Sequence, residues 1–361
     1  MNRLRVGIVG MGVGLIHLEG YQALKNEVDV VAICDLDETR IAEIGAEYGV
    51  PLRYKDFNEM FTSGEVDAVS ICLPNSLHAP VSIAALEAGL HVLCEKPIAE
   101  KAASAQKIVE AAAQASGKFM VCYNRRYRPD VAWMKMAVDN GLLGHVYQVK
   151  AGWVRETGIP AKTGWFITKA IAGGGPLIDL GVHMLDLALW LLNYPKPLTV
   201  SGDVQANFGP NGLKTNRKPT DDALPPYSVE DSANAFIRLE GGTLLNLEAN
   251  WASHTKPGKD DLYVTLIGTK GTIEFYVENY ASENTVTFFT EIEGTPTTIH
   301  PYIIGQPSDH RYAVAEFVKC IREDLPPTAT AEQGLMVMKI IDAIYQSAEN
   351  HREIALEVSS K

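Results

Sequence analysis

Along roughly the first 120 residues, short β-branched runs at 5–9, 28–34, 68–73, 91–94 and 119–122 alternate with helical periodicity at 15–25, 38–48, 78–88 and 102–116. The runs are continuously apolar rather than alternating, as in strands buried on both faces, so the order predicts a parallel α/β sheet with crossover helices. Beyond residue 131 the pattern changes. A helix at 131–140, a strand at 146–155, a glycine-rich loop and an apolar helix at 177–192 precede strands at 198–208, 232–239, 243–253, 262–267 and 272–277, with Gly241-Gly242 and 268–271 as turns. No crossover helices separate these strands, so they predict an α+β domain with a large, mainly antiparallel sheet, closed by helices at 309–322 and 331–350. The expected division is an α/β domain at 1–124 and an α+β domain at 125–361. Residues 209–228, rich in proline, asparagine and charge, are long for a connection and are read as a lid or a subunit-contacting arm.

Composition narrows the function classes. The chain of 361 residues carries 32 lysines and arginines against 44 acidic residues, a net charge of −12, which argues against nucleic acid or an anionic membrane as partner. Hydrophobic residues at 46% and charged residues at 21% are those of a globular protein, not a disordered one. The amino terminus lacks the apolar run and cleavage site of a secretory leader, and 177–192, the longest apolar stretch, is interrupted by Asp179, His183 and Asp186. The five cysteines are odd in number, mostly end apolar runs and form no C-x-x-C pair. They read as reduced, buried thiols of a cytoplasmic protein, with no metal site.

Gly10, Gly12, Val13 and Gly14 lie where the first strand turns into the first helix, the arrangement that brings backbone close to a pyrophosphate at a helix N-terminus. The pattern departs from G-x-G-x-x-G, because Leu15 holds the third position and Gly14 stands one residue early, which predicts a tighter loop. Asp35 ends the second strand, where a carboxylate accepts from ribose hydroxyls and repels a 2′-phosphate, so NAD is expected over NADP. Arg40 blurs that preference unless it is a solvated helix side chain.

Glu95-Lys96-Pro97 follows the strand 91–94 at the carboxyl edge of the sheet, where ligands of open α/β folds bind. Burial there would lower the pKa of Lys96 and suit it to hydrogen bonding with a reacting oxygen. On the apolar helix 177–192, Asp179, His183 and Asp186 fall at i, i+4 and i+7 on one stripe. Two readings of that stripe stand: a ligand cleft, or an Asp-His pair inside the core.

The glycine loop, Leu73-Pro74-Asn75-Ser76-Leu77-His78, Glu95-Lys96-Pro97, Tyr123-Asn124-Arg125-Arg126-Tyr127 and the triple glycine leading to Asp179 and His183 together resemble the Gfo/Idh/MocA oxidoreductases over essentially the whole chain. The resemblance implies a Rossmann domain followed by an open-faced α+β domain whose sheet packs on another subunit, giving a homodimer or homotetramer. It also implies Lys96, Asp179 and His183 as catalytic residues and a sugar, cyclitol or related polyol as substrate. Leu73, Pro74, Asn75, His78 and Glu95 are assigned to the cofactor, although Asn75 or Ser76 is equally a helix cap. Trp165 covers the cofactor or merely packs, and His17 belongs to the first helix's packing face or to the pyrophosphate. Asn124, Arg125, Arg155 and His254 are candidate readers of neighbouring substrate hydroxyls, with Arg125, Arg126 or Arg155 as an anion clamp if the sugar is charged. The expected activity is NAD-dependent oxidation of a secondary hydroxyl to a ketone; an NAD-retaining redox glycosidase and a non-catalytic NAD-binding sensor are the alternatives.

Overall fold

The structure, a computed structural model, describes residues 3–161, 163–216, 225–305 and 309–356. The chain divides into two units, one of Met1–Tyr127 with Ser308–Met338, the other of Arg128–Pro307 with Lys339–Lys361. This differs from the expected split at 124/125. A reading in chain order assigns the whole tail to the domain before it, whereas Ser308–Met338 belongs to the first unit and only Lys339–Lys361 to the second.

In the first unit the strands β1 (Leu4–Val9), β2 (Val28–Cys34), β3 (Leu52–Tyr54), β4 (Ala68–Ile71), β5 (His91–Cys94) and β6 (Phe119–Val121) form one parallel sheet in the order β3-β2-β1-β4-β5-β6. The order reverses between β1 and β4, and the crevice at the carboxyl ends there is where doubly wound sheets bind dinucleotides. Helices α1 (Gly14–Gln22), α2 (Glu38–Glu47), α3 (Phe57–Thr62), α4 (Asn75–Glu87) and α5 (Ala102–Gln114) connect the strands. Asp37 and Asp56 cap α2 and α3 by accepting from the Arg40 and Asn58 amides. β3 and α3 were not expected, being only 3 and 6 residues long, too short to show a period.

The second unit contains α6 (Pro129–Asp139), β7 (Val146–Arg155), α7 (Lys169–Ala172), a π-turn at Leu177–Gly181 running into α8 (Val182–Leu191), and eight further strands. These are β8 (Pro197–Gln205), β9 (Ser232–Leu239), β10 (Leu244–Asn250), β11 (Asp260–Gly268), β12 (Gly271–Glu278), β13 (Val286–Ile292), β14 (Thr295–Ile299) and β15 (Ile354–Ala355). The nine strands run in the order β14-β13-β12-β11-β7-β10-β9-β8-β15, antiparallel throughout except for the β7–β10 pair. Burial alternates strictly along β9, β10 and β12, so one face is covered, in part by α8 against β7 and β11. Helix α9 (Asp309–Arg322) packs on α1 in the first unit, and α10 (Ala331–Asn350) contributes to both units.

Of residues 209–228, positions 217–224 lie outside the described residues. On the described side, Asp231 Oδ2 accepts from the Phe208 and Gly209 amides, and Lys214 pairs with Glu156. Among the described residues no helix is long and apolar enough to cross a membrane. All five cysteines are buried and none is disulfide-bonded.

Candidate functional site

The glycines of the first loop serve three different needs. Gly10 has φ +90°, and a Cβ there would stand 2.3 Å from the Cys72 carbonyl oxygen. Around Gly12 nothing lies within 4 Å of a Cβ position, so its backbone is open to a ligand. At Gly14 a Cβ would come within 2.8 Å of Ile8 Cγ2, so this residue provides the close helix-on-strand packing that the dinucleotide pattern gives to its third glycine. With Val13 as N-cap, α1 begins at Gly14, which is how the loop accommodates the early glycine.

Asp35 and Arg40 grip the loop between them. Asp35 Oδ2 accepts from the Met11 amide at 2.7 Å, Oδ1 accepts from the Asp37 amide at 3.1 Å, and Arg40 donates from Nε and Nη2 to the Met11 carbonyl at 3.1 and 2.6 Å. Arg40 is therefore a loop brace as well as the exposed helix side chain that the sequence suggested. A carboxylate with two engaged oxygens still has lone pairs for a ribose hydroxyl. The open backbone at Gly12 and the acid at the end of β2 fit NAD, whose pyrophosphate and ribose they would hold.

At the neighbouring strand ends the expectations need correction. Pro74 occupies the N-cap position of α4, so neither Asn75 nor Ser76 caps the helix; Asn75 is buried as its first residue. His78 is also buried, with Nδ1 2.6 Å from the Pro97 carbonyl and Nε2 2.7 Å from that of Leu73. Each ring nitrogen faces a carbonyl and the neutral imidazole has one N–H, so His78 donates to one of the two turns at a time and presents no free donor to a cofactor. Burial pushes its imidazole below the usual value, while the two carbonyls, by accepting from N–H groups, pull it back up. Glu95 likewise turns inward, bonding to His17, and Lys96 beside it is half-buried. His17 is fully buried between Ser70 and Glu95, which removes its pyrophosphate reading.

Asn124 is buried, with Nδ2 3.3 Å from His310 Nε2. Arg126 donates to the Thr328 carbonyl at 2.7 Å and to Gln333 Oε1 at 2.9 Å and lies over the Tyr123 ring, so it ties the returning tail and is no anion clamp. Arg125 is buried beside it.

In the second unit the triple glycine is a packing necessity. A Cβ on Gly174 would stand 1.8 Å from Tyr345 Oη, and one on Gly175 would stand 2.0 Å from the Glu230 carbonyl. Glu230 accepts from the Leu177 amide and from Tyr345, and burial raises its pKa. The π-turn that follows carries Asp179, while His183 and Asp186 lie in α8. Asp179 is half-buried and accepts from Trp251 Nε1 at 3.0 Å, whereas Asp186 is buried and accepts from the Tyr194 hydroxyl. His183, 7% exposed, has its ring centroid 5.7 Å from that of Trp153. π-turns within helices frequently mark functional sites.

Arg155 closes this group. It donates from Nε to Asp260 and from Nη2 to the Tyr280 hydroxyl, both at 3.1 Å, and lies over the Trp153 ring, whose Nε1 donates to the same Asp260 at 2.7 Å. Burial pushes the guanidinium down, but Asp260, Tyr280 and Asp179 together carry it above its usual value. Arg155 is thus an ion-pair partner rather than an unpartnered clamp for a charged sugar. Trp153, Trp251, Asp260 and Tyr280 escaped the sequence reading; the period-2 spacing of Trp153 and Arg155 on one strand was the available signal. His254 is exposed, edge-on to Phe208, and Trp165 is half-buried and stacked on Phe166 at 3.8 Å. Lys96 belongs to the first unit, Asp179 and His183 to the second.

The chain as a whole has counterparts among known proteins. The profile of an oxidoreductase family's NAD-binding Rossmann fold matches residues 4–123, and that of the same family's C-terminal alpha/beta domain matches residues 135–356. The chain is 30% identical to D-glucoside 3-dehydrogenase of Escherichia coli K12 over 98% of its own length and 97% of that protein's. It is 25% identical to myo-inositol 2-dehydrogenase of Thermotoga maritima over 98% and 99% of the two chains. Among solved structures, an oxidoreductase domain protein from Kribbella flavida superposes with a TM-score of 0.87 at 26% identity, covering 99% of this chain and 100% of that one. With both halves matched in order and a phosphate-binding loop built as a dinucleotide requires, the chain belongs to the Gfo/Idh/MocA family of oxidoreductases and takes NAD as its cofactor.

Proposed function

We propose that this oxidoreductase removes hydride from a secondary hydroxyl of a neutral, hydroxyl-rich ring, a sugar, cyclitol or related polyol, and leaves a ketone. The observation that carries the reading is the second unit's polar group: Asp179 on the π-turn, held by Trp251, and buried His183 in the first turn of α8, with Arg155, Asp260 and Tyr280 as further donors and acceptors. Sites of this kind penalise substrates that leave buried polar groups unpaired. The names of the glucoside and inositol dehydrogenases support the same class.

NAD, when bound, supplies the hydride acceptor. His183 takes the hydroxyl proton as hydride departs, Asp179 orients it, and Lys96 polarises the alcohol oxygen that becomes the carbonyl. Asp35 favours NAD over NADP by repelling a 2′-phosphate. The working enzyme is a cytoplasmic homo-oligomer joined through the nine-stranded sheet, on which Tyr147, Tyr276 and Phe289 are exposed.

The test is a carbohydrate and polyol panel read as NADH formation, with His183→Ala and Lys96→Ala beside the wild type. Positioned proton transfer contributes about 10²–10⁴-fold, so each variant should lose kcat by that order with NADH affinity nearly unchanged. Turnover of acyclic alcohols or 2-hydroxy acids alone refutes the substrate class, and NADP preferred in kcat/KM refutes the role of Asp35.

A further inference from the structure

One residue before Lys96 stands a buried carboxylate. Glu95 is 5% exposed, and its two oxygens have separate partners. Oε1 accepts from His17 Nε2 at 2.8 Å and lies 3.5 Å from His310 Nε2, while Oε2 accepts from the Lys96 amide at 3.1 Å. Burial alone would raise this carboxyl, but the two histidines hold it well below the usual value.

Behind His17 the bonding continues, and one direction gives each buried proton an acceptor. His17 Nδ1 lies 3.1 Å from Ser70 Oγ, which lies 2.8 Å from the fully buried Tyr21 hydroxyl. Burial pushes the Tyr21 phenol far above its usual value, so it keeps its proton and donates it to Ser70. The single proton of Ser70 then goes to His17 Nδ1, and His17 carries its own on Nε2, aimed at Glu95. Reversed, the chain would leave a buried phenol donor without an acceptor among the described residues.

The same Glu95, His17 and His310, with Cys122, offer ligand atoms within 4.8 Å of one another. Distance favours protons over a cation. His17 Nε2 and Glu95 Oε1 are 2.8 Å apart, whereas two ligands about 2.0–2.2 Å from one tetrahedral zinc stand about 3.3–3.5 Å apart.

We infer that Glu95 is a positioning residue for Lys96: aimed by the Tyr21–Ser70–His17 chain, its carboxylate fixes the peptide that carries the lysine. On the far side, His78 Nδ1 faces the Pro97 carbonyl, so the segment has a polar neighbour at both ends. The consequence for turnover rests on the role proposed above for Lys96; the bonding itself does not.

Two measurements on the full chain need no substrate. Histidine 15N NMR should show His17 as the neutral Nε2–H tautomer, and an imidazolium or an Nδ1–H tautomer overturns the inference. Hydrogen exchange at the Lys96 amide should quicken about 10–100-fold in Glu95→Gln, and unchanged protection overturns it. On the activity side, Glu95→Gln should lower kcat about 10–100-fold with NADH affinity and substrate KM within about threefold. Ser70→Ala should lower kcat about fivefold alone and no further in the Glu95→Gln background, because Ser70 acts through His17 on Glu95; additive losses overturn the inference. If Glu95→Gln does not fold, Ser70→Ala and Tyr21→Phe carry the exchange and kcat arms. Stoichiometric zinc in the purified enzyme, lost in Cys122→Ser, overturns it outright. Correct NMR and exchange results without turnover of any ring polyol refute the proposed reaction and leave the positioning role standing.

Discussion

Alanine placed in turn at Gly10, Gly12 and Gly14 should separate stability from cofactor binding within five residues. At Gly10 the backbone φ of +90° costs an alanine about 1–3 kcal/mol, and its Cβ would meet a backbone oxygen at 2.3 Å, which yields only if the end of β4 shifts. Together these put the loss at about 3 kcal/mol or more. At Gly14 the obstacle at 2.8 Å is a side-chain methyl, an overpacking of about 1–3 kcal/mol. Gly12→Ala meets nothing within 4 Å and should stabilise the apoprotein by about 0.4–1 kcal/mol through the unfolded chain. Its methyl, however, fills the space a pyrophosphate must enter. Losing one charge-assisted hydrogen bond costs about 1.5–3 kcal/mol, roughly 10–150-fold in Kd. Thermal unfolding of the apoprotein and NADH titration by fluorescence read the two effects. At about 2–4 °C per kcal/mol for a domain of this size, Gly10→Ala should unfold about 6 °C or more below wild type, with Gly14→Ala between it and Gly12→Ala. Wild-type NADH affinity in Gly12→Ala, or wild-type stability in Gly10→Ala, would refute the assignment of these glycines.

Removing one member of the buried Arg128–Asp130 pair, which is joined at 2.7 and 3.0 Å and by Thr285 Oγ1, leaves an uncompensated charge. Asp130→Ala should therefore lose about 3–5 kcal/mol in urea unfolding, and a loss under 1 kcal/mol would contradict the pairing. His91 accepts from the Lys118 amide through Nδ1, and burial, aided by the Lys118 charge, lowers its pKa below the ordinary 6.5. The folded state thus binds fewer protons than the unfolded state, so this contribution is present above pH 6.5 and is lost as pH falls through that value. His91→Gln, which keeps an acceptor, should flatten that part of the stability profile; an unchanged slope would assign it elsewhere.

Much of this protein was legible along the chain, because local patterns report burial and periodicity. Continuous β-branched runs separated by helices specify a parallel sheet, and a glycine-rich turn after β1 with Asp35 at the end of β2 specifies a dinucleotide site. Successive strands with no crossover helices between them mark a large, mainly antiparallel sheet. These features lie within one or two elements, where spacing alone determines which side chains share a face.

Tertiary structure decided which polar groups meet. His17 and Glu95 are 78 positions apart, Trp153 and Asp260 107, and Arg126 and Gln333 207, and no spacing rule reaches so far. The return of α9 to the first unit depends on packing against α1. The π-turn at Leu177–Gly181, on which Asp179 lies, has no signature in the helical period of the sequence. His78, Glu95 and Arg155 look in sequence like groups waiting for a ligand, yet each is turned to a protein partner, because a buried donor or acceptor must be satisfied wherever the chain path brings one within reach.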